Sequence, residues 1–301
     1  MVSTSVELHD IRKRFGDFEA VKGISLAVPT GVIFGLLGPN GAGKSTTIRM
    51  IMDIIAPDSG EVRLFGRPRV RADAARLGYL PEERGLYRKM TVTDQLLFLA
   101  EIYGVKRREA QARITRWLER TDLARWAKSK VEELSKGMQQ KIQLIGTVLH
   151  EPDVLILDEP FSGLDPINQT LFKEMLVEYK GLGRTILFST HGMEQAEKMC
   201  DHIGLISHGR LVLSGELAAI KRERGGNSYR LEAEGDIDRL AAVPGIEQVV
   251  PRPGGAKVLL APDAQGPAVL RHLVELLHVS GWKSEEPDLE EIFVKAVHDA
   301  A

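Results

Sequence analysis

A glycine-rich stretch near the N-terminus has the residue types that bind phosphate groups. It matches the pattern G-x-x-x-x-G-K-[ST] at every fixed position, and its residues are Gly38, Pro39, Asn40, Gly41, Ala42, Gly43, Lys44 and Ser45. Glycines let backbone N–H groups converge on phosphate oxygens because no Cβ blocks them. Lys44 can reach the β- and γ-phosphates, the Ser45 hydroxyl can ligate Mg²⁺, and Thr46 can bond the α-phosphate. We therefore predict a site for a nucleoside triphosphate.

Asp158 and Glu159 form a second group of residues that can do chemistry. They directly follow the apolar run 154–157, which is typical of a buried strand. Asp158 is suited to hold Mg²⁺ through water, and Glu159 can polarise a water molecule for attack on the γ-phosphate. The alternative is a pair of solvated carboxylates at a strand end, which the nearby phosphate-binding loop disfavours.

The two groups need a sheet to bring them together, and the hydrophobic pattern predicts one. Short strands are expected at 6–9 and 26–28, buried strands at 32–37, 154–157 and 185–189, and helices at 44–55, 166–181 and 193–199. Strands that alternate with helices indicate a largely parallel sheet. Ligands bind at the carboxyl ends of such strands, where both groups of residues lie.

The middle of the chain is predicted to be helical. Helices are expected at 91–104, 108–121 and 135–150, and the first opens with a capping box at Thr91 and Asp94. Basic residues outnumber acidic ones within 101–130. A solvated helix face explains this excess most simply, and a docking surface for a partner is the alternative.

A domain boundary is expected at the charged and glycine-rich stretch 221–227. Beyond it, strands are expected at 229–233, 246–251 and 257–260, and helices at 269–279 and 289–297. This pattern predicts a small α+β domain of ferredoxin-like order. The sequence thus predicts two domains, residues 1–223 and 224–301.

The composition restricts the class of protein. The 301 residues are 43% hydrophobic and 27% charged, which is ordinary for a globular protein. The formal net charge of −2 argues against nucleic acid as a partner. The single cysteine, Cys200, excludes a disulfide scaffold and a multi-cysteine metal site. We expect no secretory leader and no membrane span, because no apolar stretch approaches the ~20 residues needed to cross a bilayer.

Four further motifs make a resemblance to one family specific. Residues 134–140, Leu-Ser-Lys-Gly-Met-Gln-Gln, resemble the LSGGQ signature of ATP-binding-cassette (ABC) ATPases, although Lys136 and Met138 replace its first glycine and its glutamine. Residues 162–165 resemble the D-loop of the family, residues 189–191 its switch histidine, and residues 78–82 occupy the place of its Q-loop. Together with the phosphate-binding loop and the acidic pair, they occur in the family order over about residues 5–220.

The resemblance implies an α/β fold, that of a P-loop NTPase ABC cassette with a RecA-like core and a helical subdomain at about residues 85–150. In this family two cassettes sandwich two ATP molecules, with Mg²⁺, in a head-to-tail pair. Ser135, Gly137 and the Met138 backbone would then face the γ-phosphate on a second cassette, at a helix N-terminus that suits an anion. Asp165 would link the two sites across the interface.

Roles for four other residues follow from the same resemblance. His191 would contact the γ-phosphate and orient the attack on it. Phe15 lies where the family places an aromatic ring that stacks on adenine, and a core position is the alternative. Val21 lies where the family has a small apolar residue beside the nucleotide. Glu82 replaces the Q-loop glutamine, and its carboxylate can ligate Mg²⁺ but cannot donate hydrogen bonds as an amide does.

The implied function is that of an ATP-hydrolysing subunit that powers a membrane exporter. The stretch 81–87, the Lys136 variant and the C-terminal domain resemble the ATPases of ABC-2-type exporters, a group that includes sodium-efflux and drug-export systems. A separate transmembrane permease would dock on residues 85–130 and hold the subunit at the cytoplasmic face of the membrane. The transported substrate is not implied.

Two other functions stay open at this point. A soluble ABC ATPase acting on nucleic acid or ribosomes is one, but such relatives usually carry two cassettes, long coiled coils or zinc insertions. A regulatory nucleotide binder that does not hydrolyse ATP is the other, and the intact pair Asp158 and Glu159 argues against it. The role of the C-terminal domain, in regulation or in dimer contact, rests on its position alone.

Overall fold

The computed structural model describes residues 3–83, 85–224, 227–261 and 263–299. The chain divides into two compact units, Met1–Gly215 and Glu216–Ala301. This division falls before the predicted boundary at 221–227, because Leu217–Arg224 is a helix of the second unit. Gly225 and Gly226 of that stretch lie outside the described residues.

The first unit is built on a six-stranded sheet. Its strands are β3 (Ile33–Leu37), β6 (Leu77–Leu80), β7 (Val154–Asp158), β8 (Thr185–Thr190), β9 (His202–Ser207) and β10 (Arg210–Glu216). They lie in the order β10-β9-β3-β8-β7-β6, and β3 pairs in parallel with β8 and β9, as β7 does with β6 and β8. Every residue of β3, β7 and β8 is buried, which explains their continuous apolar runs. The predicted parallel sheet is confirmed.

A second, antiparallel sheet of the first unit carries the N-terminal hairpin. Its strands are β1 (Thr4–Phe15), β2 (Phe18–Pro29), β4 (Ser59–Leu64) and β5 (Arg67–Pro68), in the order β2-β1-β4-β5. β1 and β2 have 12 residues each and are longer than the short strands expected at 6–9 and 26–28. The pairing of β1 with β2 has register shifts, such as the one between Leu8 and Ile11. These shifts interrupt the two-residue alternation of buried and exposed side chains, so the sequence pattern predicts strands that are too short.

Six α-helices lie among the residues of the first unit that the structure describes. They are α1 (Lys44–Ile51), α2 (Val92–Ile102), α3 (Arg107–Arg120), α4 (Lys136–Val148), α5 (Pro166–Gly181) and α6 (Met193–Met199). The bounds of α5 and α6 are those expected from the sequence. The helix predicted at 44–55 ends earlier, at Ile51, and Asp53 then adopts the left-handed conformation with φ 60°.

Helices α2, α3 and α4 form the helical subdomain around a hydrophobic cluster of their own. Leu96, Ile114 and Ile142, one from each helix, are buried in it. The predicted cap at the start of α2 is confirmed at Thr91, whose hydroxyl accepts a hydrogen bond of 3.1 Å from the backbone N–H of Asp94. The Asp94 carboxylate accepts a hydrogen bond of 2.7 Å from the Thr91 hydroxyl, where a capping box has one from the Thr91 backbone N–H. Short 3₁₀ helices at Ala124–Trp126 and Val131–Glu133 connect α3 to α4, and another occupies Arg71–Arg76.

The second unit is the expected α+β domain. Its elements are α7 (Leu217–Arg224), β11 (Ser228–Glu234), a 3₁₀ helix (Ile237–Ala242), β12 (Ile246–Arg252), β13 (Gly255–Leu260), α8 (Gly266–Leu276), β14 (His278–Ser284) and α9 (Leu289–Asp299). The antiparallel sheet has the order β12-β13-β11-β14, which is the predicted ferredoxin-like order.

One strand of the second unit was missed. The helix predicted at 269–279 ends at Leu276, and β14 begins two residues later. β14 pairs with β11, and Trp282 stacks on Tyr229 with ring centroids 4.5 Å apart. These contacts join residues about 50 positions apart in the chain, and they override the local helical spacing of residues 277–279.

Among the residues that the structure describes, no helix combines the length and the apolar character needed to cross a bilayer.

The close contact of α6 with β3 gives a test of the sheet's packing. A Cβ added at Gly35 would lie 2.7 Å from the Cys200 Sγ and 3.1 Å from a Leu37 methyl carbon. Because overpacking a core typically destabilises by 1–3 kcal/mol, we expect Gly35→Ala to lower the free energy of unfolding by about 2 kcal/mol. Urea unfolding followed by circular dichroism measures this change.

The Cys200→Ala background provides the matched experiment, because it removes the sulfur atom. We expect Gly35→Ala to be less destabilising there, and an equal loss in both backgrounds would contradict the proposed clash. Gly181→Ala serves as a control, since a Cβ at Gly181 meets nothing within 4 Å.

Candidate functional site

One cavity of about 540 Å³ lies at the carboxyl ends of the parallel strands. It is lined by Phe15, Phe18, Ala20, Asn40, Gly41, Ala42, Gly43, Lys44, Ser45, Thr46, Glu82, Glu159, Ser162 and His191. The loop after β3 and the first turn of α1 supply residues 40–46, while Glu82, Glu159 and His191 follow β6, β7 and β8. Four strand ends therefore converge on one place, as expected for a ligand site in a parallel sheet.

The loop between β3 and α1 depends on its glycines. Gly38 has φ 151° and Gly43 has φ 106°, and both values disfavour a residue with a side chain. A Cβ at Gly38 would collide with the Ile206 carbonyl oxygen, and one at Gly43 would lie 2.6 Å from the Ala20 carbonyl oxygen. The loop therefore packs tightly against the sheet and leads into α1, whose first N–H groups have no partner within the helix.

Lys44 is the buried cation of the site. Its side chain is 5% exposed, and its Nζ donates hydrogen bonds to the carbonyl oxygens of Gly38 at 2.8 Å and Pro39 at 3.1 Å. The Nζ also lies 3.5 Å from the Glu159 Oε1. A buried ammonium group held at the loop by carbonyl oxygens is suited to bind the oxygens of a phosphate chain.

The carboxylate of Asp158 lies beneath the loop. Asp158 is 2% exposed, and its Oδ1 accepts hydrogen bonds from Ser45 Oγ at 3.1 Å and from Ser189 Oγ at 2.6 Å. A carboxylate and a hydroxyl side by side form the kind of oxygen donor set that Mg²⁺ uses when it completes its shell with phosphate and water. Asp158 and Ser45 therefore fit the predicted metal site.

Glu159 connects the cation to the switch histidine. Its two carboxylate oxygens lie 3.2 Å and 3.1 Å from the His191 Nδ1, and its Oε1 faces Lys44. The backbone of Glu159 is left-handed with φ 47°, which is uncommon for a residue with a side chain. The Glu159 side chain is 10% exposed whereas the His191 side chain is 59% exposed, so the histidine is the solvent-facing partner.

Two aromatic rings lie at another part of the cavity. Phe15 and Phe18 are directly opposite each other at the end of the β1/β2 hairpin, and they are 51% and 64% exposed. Opposite residues of an antiparallel pair have their side chains on the same face, so both rings can pack on one planar ligand. Phe15 was expected here from the sequence, and Phe18 was missed because its role depends on the pairing of the hairpin.

Val21 does not line the cavity. Its side chain is fully buried in the core of the first unit, and Ala20 lines the cavity in its place. The reason is the alternation of side chains along a strand, which turns residues 20 and 21 to opposite faces.

Four of the expected site residues lie away from the cavity. The Ser135 hydroxyl caps α4 by accepting a hydrogen bond of 3.3 Å from the Met138 N–H, and Asp165 caps α5 by accepting one of 3.0 Å from the Asn168 N–H. This N–H group holds the pKa of Asp165 below its usual range. A Cβ on Gly137 would lie 3.8 Å from the Asp165 carboxylate, so the two helix starts adjoin. We call Ser135, Gly137, Met138 and Asp165 the signature surface.

The segment that carries Glu82 is held by α4. The Gln143 amide donates hydrogen bonds to the carbonyl oxygens of Pro81 at 3.2 Å and Glu83 at 3.3 Å, on either side of Glu82. The Thr147 hydroxyl donates to the Tyr79 carbonyl oxygen at 3.3 Å. Burial, together with the charge of Asp158, raises the pKa of the Tyr79 phenol, which stays protonated. No local pattern predicts this link between α4 and the segment after β6, because it joins residues about 60 positions apart.

Comparisons with known proteins agree with this geometry. Residues 21–162 match the family described as ABC transporter, and residues 215–297 match the C-terminal domain of DrrA1-3-like ATP-binding proteins. The chain is 43% identical to the ABC transporter ATP-binding protein YhaQ of Bacillus subtilis over 95% of this chain and 96% of that protein. The chain belongs to the ATP-binding subunits of ABC transporters.

Other relatives have names that include their transport role. The chain is 40% identical to the Nod factor export ATP-binding protein I of Paraburkholderia xenovorans, over 73% of each chain. It is 36% identical to the linearmycin resistance ATP-binding protein LnrL of Bacillus subtilis, over 74% of this chain and 73% of that one. Together with the DrrA-like domain, these names fit the ABC-2-type exporter group.

Solved structures give the same assignment. An ATP-binding subunit of an ABC transporter matches with a TM-score of 0.68 and 33% identity, over 73% of this chain and 93% of that one. CbiO1 of Clostridium perfringens, part of the ABC transporter complex CbiONQ, matches with a TM-score of 0.64 and 28% identity, over 74% and 92%. This ABC subunit is therefore an ATPase with the fold of an ABC cassette, and it binds ATP.

The two rings of the hairpin give a prediction about ATP affinity. Stacking of a base on an aromatic side chain contributes about 1–3 kcal/mol, so we expect Phe15→Ala and Phe18→Ala each to weaken ATP binding at least about fivefold. Replacing either residue by Tyr preserves the ring and should preserve the affinity. Calorimetric titration with a non-hydrolysable ATP analogue measures these effects.

Val21→Ala is the matched control for this prediction. It shortens a fully buried side chain, so it should lower the unfolding midpoint and leave the ATP affinity unchanged. If Val21→Ala lost as much ATP affinity as Phe15→Ala, Val21 would have to contact the nucleotide, and the prediction would be wrong.

Proposed function

We propose that this ABC subunit works as a head-to-tail pair of cassettes that powers export through a separate membrane permease. The observation that carries the proposal is the division of phosphate-binding groups between two places on the chain. The phosphate-binding loop and Glu159 line the cavity, whereas Ser135, Gly137 and Met138 do not. A head-to-tail pair would bring the signature surface of one copy to the cavity of the other.

The exposed surface next to Asp165 supports this pairing. Ile167, in the first turn of α5, is 82% exposed, which is unusual for a large apolar side chain. It lies two residues from Asp165 on the signature surface. Burying Ile167 against a second cassette would remove its apolar surface from water and stabilise the pair.

The roles proposed for the site residues follow from their contacts. The Lys44 ammonium and the N–H groups at the start of α1 bind the phosphate oxygens, and Thr46 bonds the α-phosphate. Ser45 and Asp158 hold Mg²⁺, which neutralises charge on the phosphate oxygens when bound. Glu82 faces the same cavity as a further carboxylate for the metal.

Glu159 is the proposed base for the attacking water. Its carboxylate is almost fully buried between Lys44 and His191, and burial keeps its position well defined for accepting a proton. His191 holds the carboxylate from the solvent side through its Nδ1 and can also reach the γ-phosphate. Glu159 is therefore needed for turnover, whereas ATP binding depends on the groups of the phosphate-binding loop.

Glu159→Gln is the experiment that tests the proposal. The amide keeps the size of the side chain and cannot accept the proton, so we expect turnover to fall by a factor of about 10²–10⁴. ATP binding should be unchanged, and the variant should accumulate as an ATP-bound dimer. Phosphate release, calorimetry and size-exclusion chromatography with light scattering measure the three quantities. Normal turnover would refute the role of Glu159.

A second substitution separates the dimer from the chemistry. In the Glu159→Gln background, Ile167→Glu places a charge on the proposed contact and should abolish the ATP-bound dimer without affecting ATP binding. Val177→Glu, at a 57% exposed apolar residue further along α5, should leave the dimer intact. If both variants still form the dimer, Ile167 does not lie in the contact.

The proposed permease surface lies next to the segment that carries Glu82. Tyr87, Phe98 and Ile102 are 56%, 36% and 60% exposed, and the rings of Tyr87 and Phe98 meet edge to face at 5.4 Å. Exposed apolar side chains grouped in this way mark protein contact sites. The names of the relatives support export as the direction of transport. A permease bound here would hold the subunit at the cytoplasmic face of the membrane.

The permease proposal predicts a co-purifying membrane protein. We expect the tagged chain, purified from gently solubilised membranes of its own cells, to bring a multi-span membrane protein with it. Ile102→Glu should abolish this recovery, whereas Leu182→Glu, at a 68% exposed residue just after α5, should not. Mass spectrometry identifies the partner. Recovery of ribosomes or nucleic acid in its place would support the soluble alternative.

A further inference from the structure

Ser189 makes the contact that joins the two catalytic carboxylate residues. Its hydroxyl donates a hydrogen bond of 2.6 Å to the Asp158 Oδ1 and accepts one of 3.0 Å from the backbone N–H of Glu159. Ser189 is fully buried, so no water can replace it in either bond. One oxygen atom therefore holds the first carboxylate and the backbone of the second.

The pairing of β7 with β8 places Ser189 where its hydroxyl can make both hydrogen bonds. β7 and β8 are parallel neighbours, and Asp158 is in register with Ser189. Since residues in register on adjacent strands have their side chains on the same face, the hydroxyl lies beside the carboxylate. Asp158 and Ser189 are 31 residues apart in the chain, so the strand register makes this contact.

The backbone of Glu159 depends on the hydrogen bond to Ser189. Its left-handed conformation, φ 47°, is unfavourable for a residue with a side chain and persists only where surrounding contacts fix it. The Glu159 N–H is buried, and without Ser189 it would lose its partner. The left-handed turn directs the carboxylate of Glu159 to Lys44 and His191, while that of Asp158 faces Ser45.

We infer that Ser189 is a positioning residue for ATP hydrolysis, which sets the orientation of Asp158 toward Mg²⁺ and of Glu159 toward water. The inference rests on the proposed roles of Asp158 and Glu159. Ser189 does not line the cavity, so the inference gives it no contact with ATP or with the attacking water. Its effect is exerted through the two residues that it holds.

Ser189→Ala is the first test. Partners that orient metal ligands typically change metal affinity or activity 10–100-fold when removed, so we expect kcat to fall by a factor of about 10–100. The Kd for ATP without Mg²⁺ should stay within about threefold, because Lys44, the loop and the hairpin rings are unchanged. The Mg²⁺ concentration for half-maximal binding of an ATP analogue should rise, and this readout does not depend on turnover.

Two further substitutions at the same position separate positioning from packing. Ser189→Thr keeps the hydroxyl and should restore kcat to within about threefold of the original. Ser189→Cys keeps the approximate volume with a weak hydrogen-bonding group, and it should behave like Ser189→Ala. If Ser189→Ala does not fold, Ser189→Cys decides by the same criteria.

Thr185 offers a matched control on the same strand. It is fully buried and its hydroxyl also makes two hydrogen bonds, with Ser5 at 2.8 Å and with the Gly31 N–H at 2.9 Å, but it lies at the opposite end of β8. We expect Thr185→Val to lower the unfolding midpoint and to leave kcat and the Mg²⁺ dependence unchanged.

The inference is overturned if Ser189→Ala and Ser189→Cys both keep normal kcat and Mg²⁺ dependence while Glu159→Gln is inactive. It is also overturned if Ser189→Thr loses as much activity as Ser189→Ala, or if Thr185→Val shows the same fall in kcat. Normal turnover of Glu159→Gln would refute the proposed function instead, so the two failures are distinguishable.

Discussion

The site depends on one constraint, the parallel hydrogen-bonded register of β3, β7 and β8. Leu37 is in register with Thr190, and Asp158 with Ser189, so the three strands end at the same level of the sheet. Parallel strands have their carboxyl ends on one edge, and the loops that follow must therefore meet there. Residues that are more than 100 positions apart, such as Ser45 and Asp158, reach hydrogen-bond distance for this reason.

The electrostatics of the site follow from burial at that edge. Asp158 and Glu159 are both almost fully buried, and two adjacent carboxylates away from water are unfavourable unless donors and cations compensate them. Hydroxyl groups from Ser45 and Ser189 bond to Asp158, while Lys44 and His191 lie against Glu159. The same compensation makes the site suitable for a metal ion and a phosphate chain, because its donors are already fixed in place before the ligand binds.

Helix N-termini are suited to bind phosphate, and the chain presents them in two places. α1 begins at the phosphate-binding loop, while α4 and α5 begin together at the signature surface. Each start has N–H groups without an intrahelical partner and the positive end of a helix dipole. α4 also reaches, through Gln143 and Thr147, the segment that carries Glu82. This helix therefore connects the signature surface to the cavity side and to the proposed permease surface within one rigid element.

Short patterns in the chain are enough to predict the features that depend on local backbone chemistry. The glycines and Lys44 of the loop, the carboxylates after β7, the cap at Thr91 and the bounds of α5 and α6 all follow from such patterns, because each depends on a few neighbouring residues. For residues such as Asp165 and His191, the proposed roles come from the resemblance to the family and not from a local pattern.

Features that depend on contacts between distant segments became visible only in the folded chain. The pairing of β1 with β2 placed Phe18 and Ala20 at the cavity and buried Val21, and the pairing of β11 with β14 overrode a helical pattern. The register of β7 with β8 gave Ser189 its two hydrogen bonds. A single sequence does not contain these pairings in any local pattern, because they are chosen by the burial of whole strands and helices against each other.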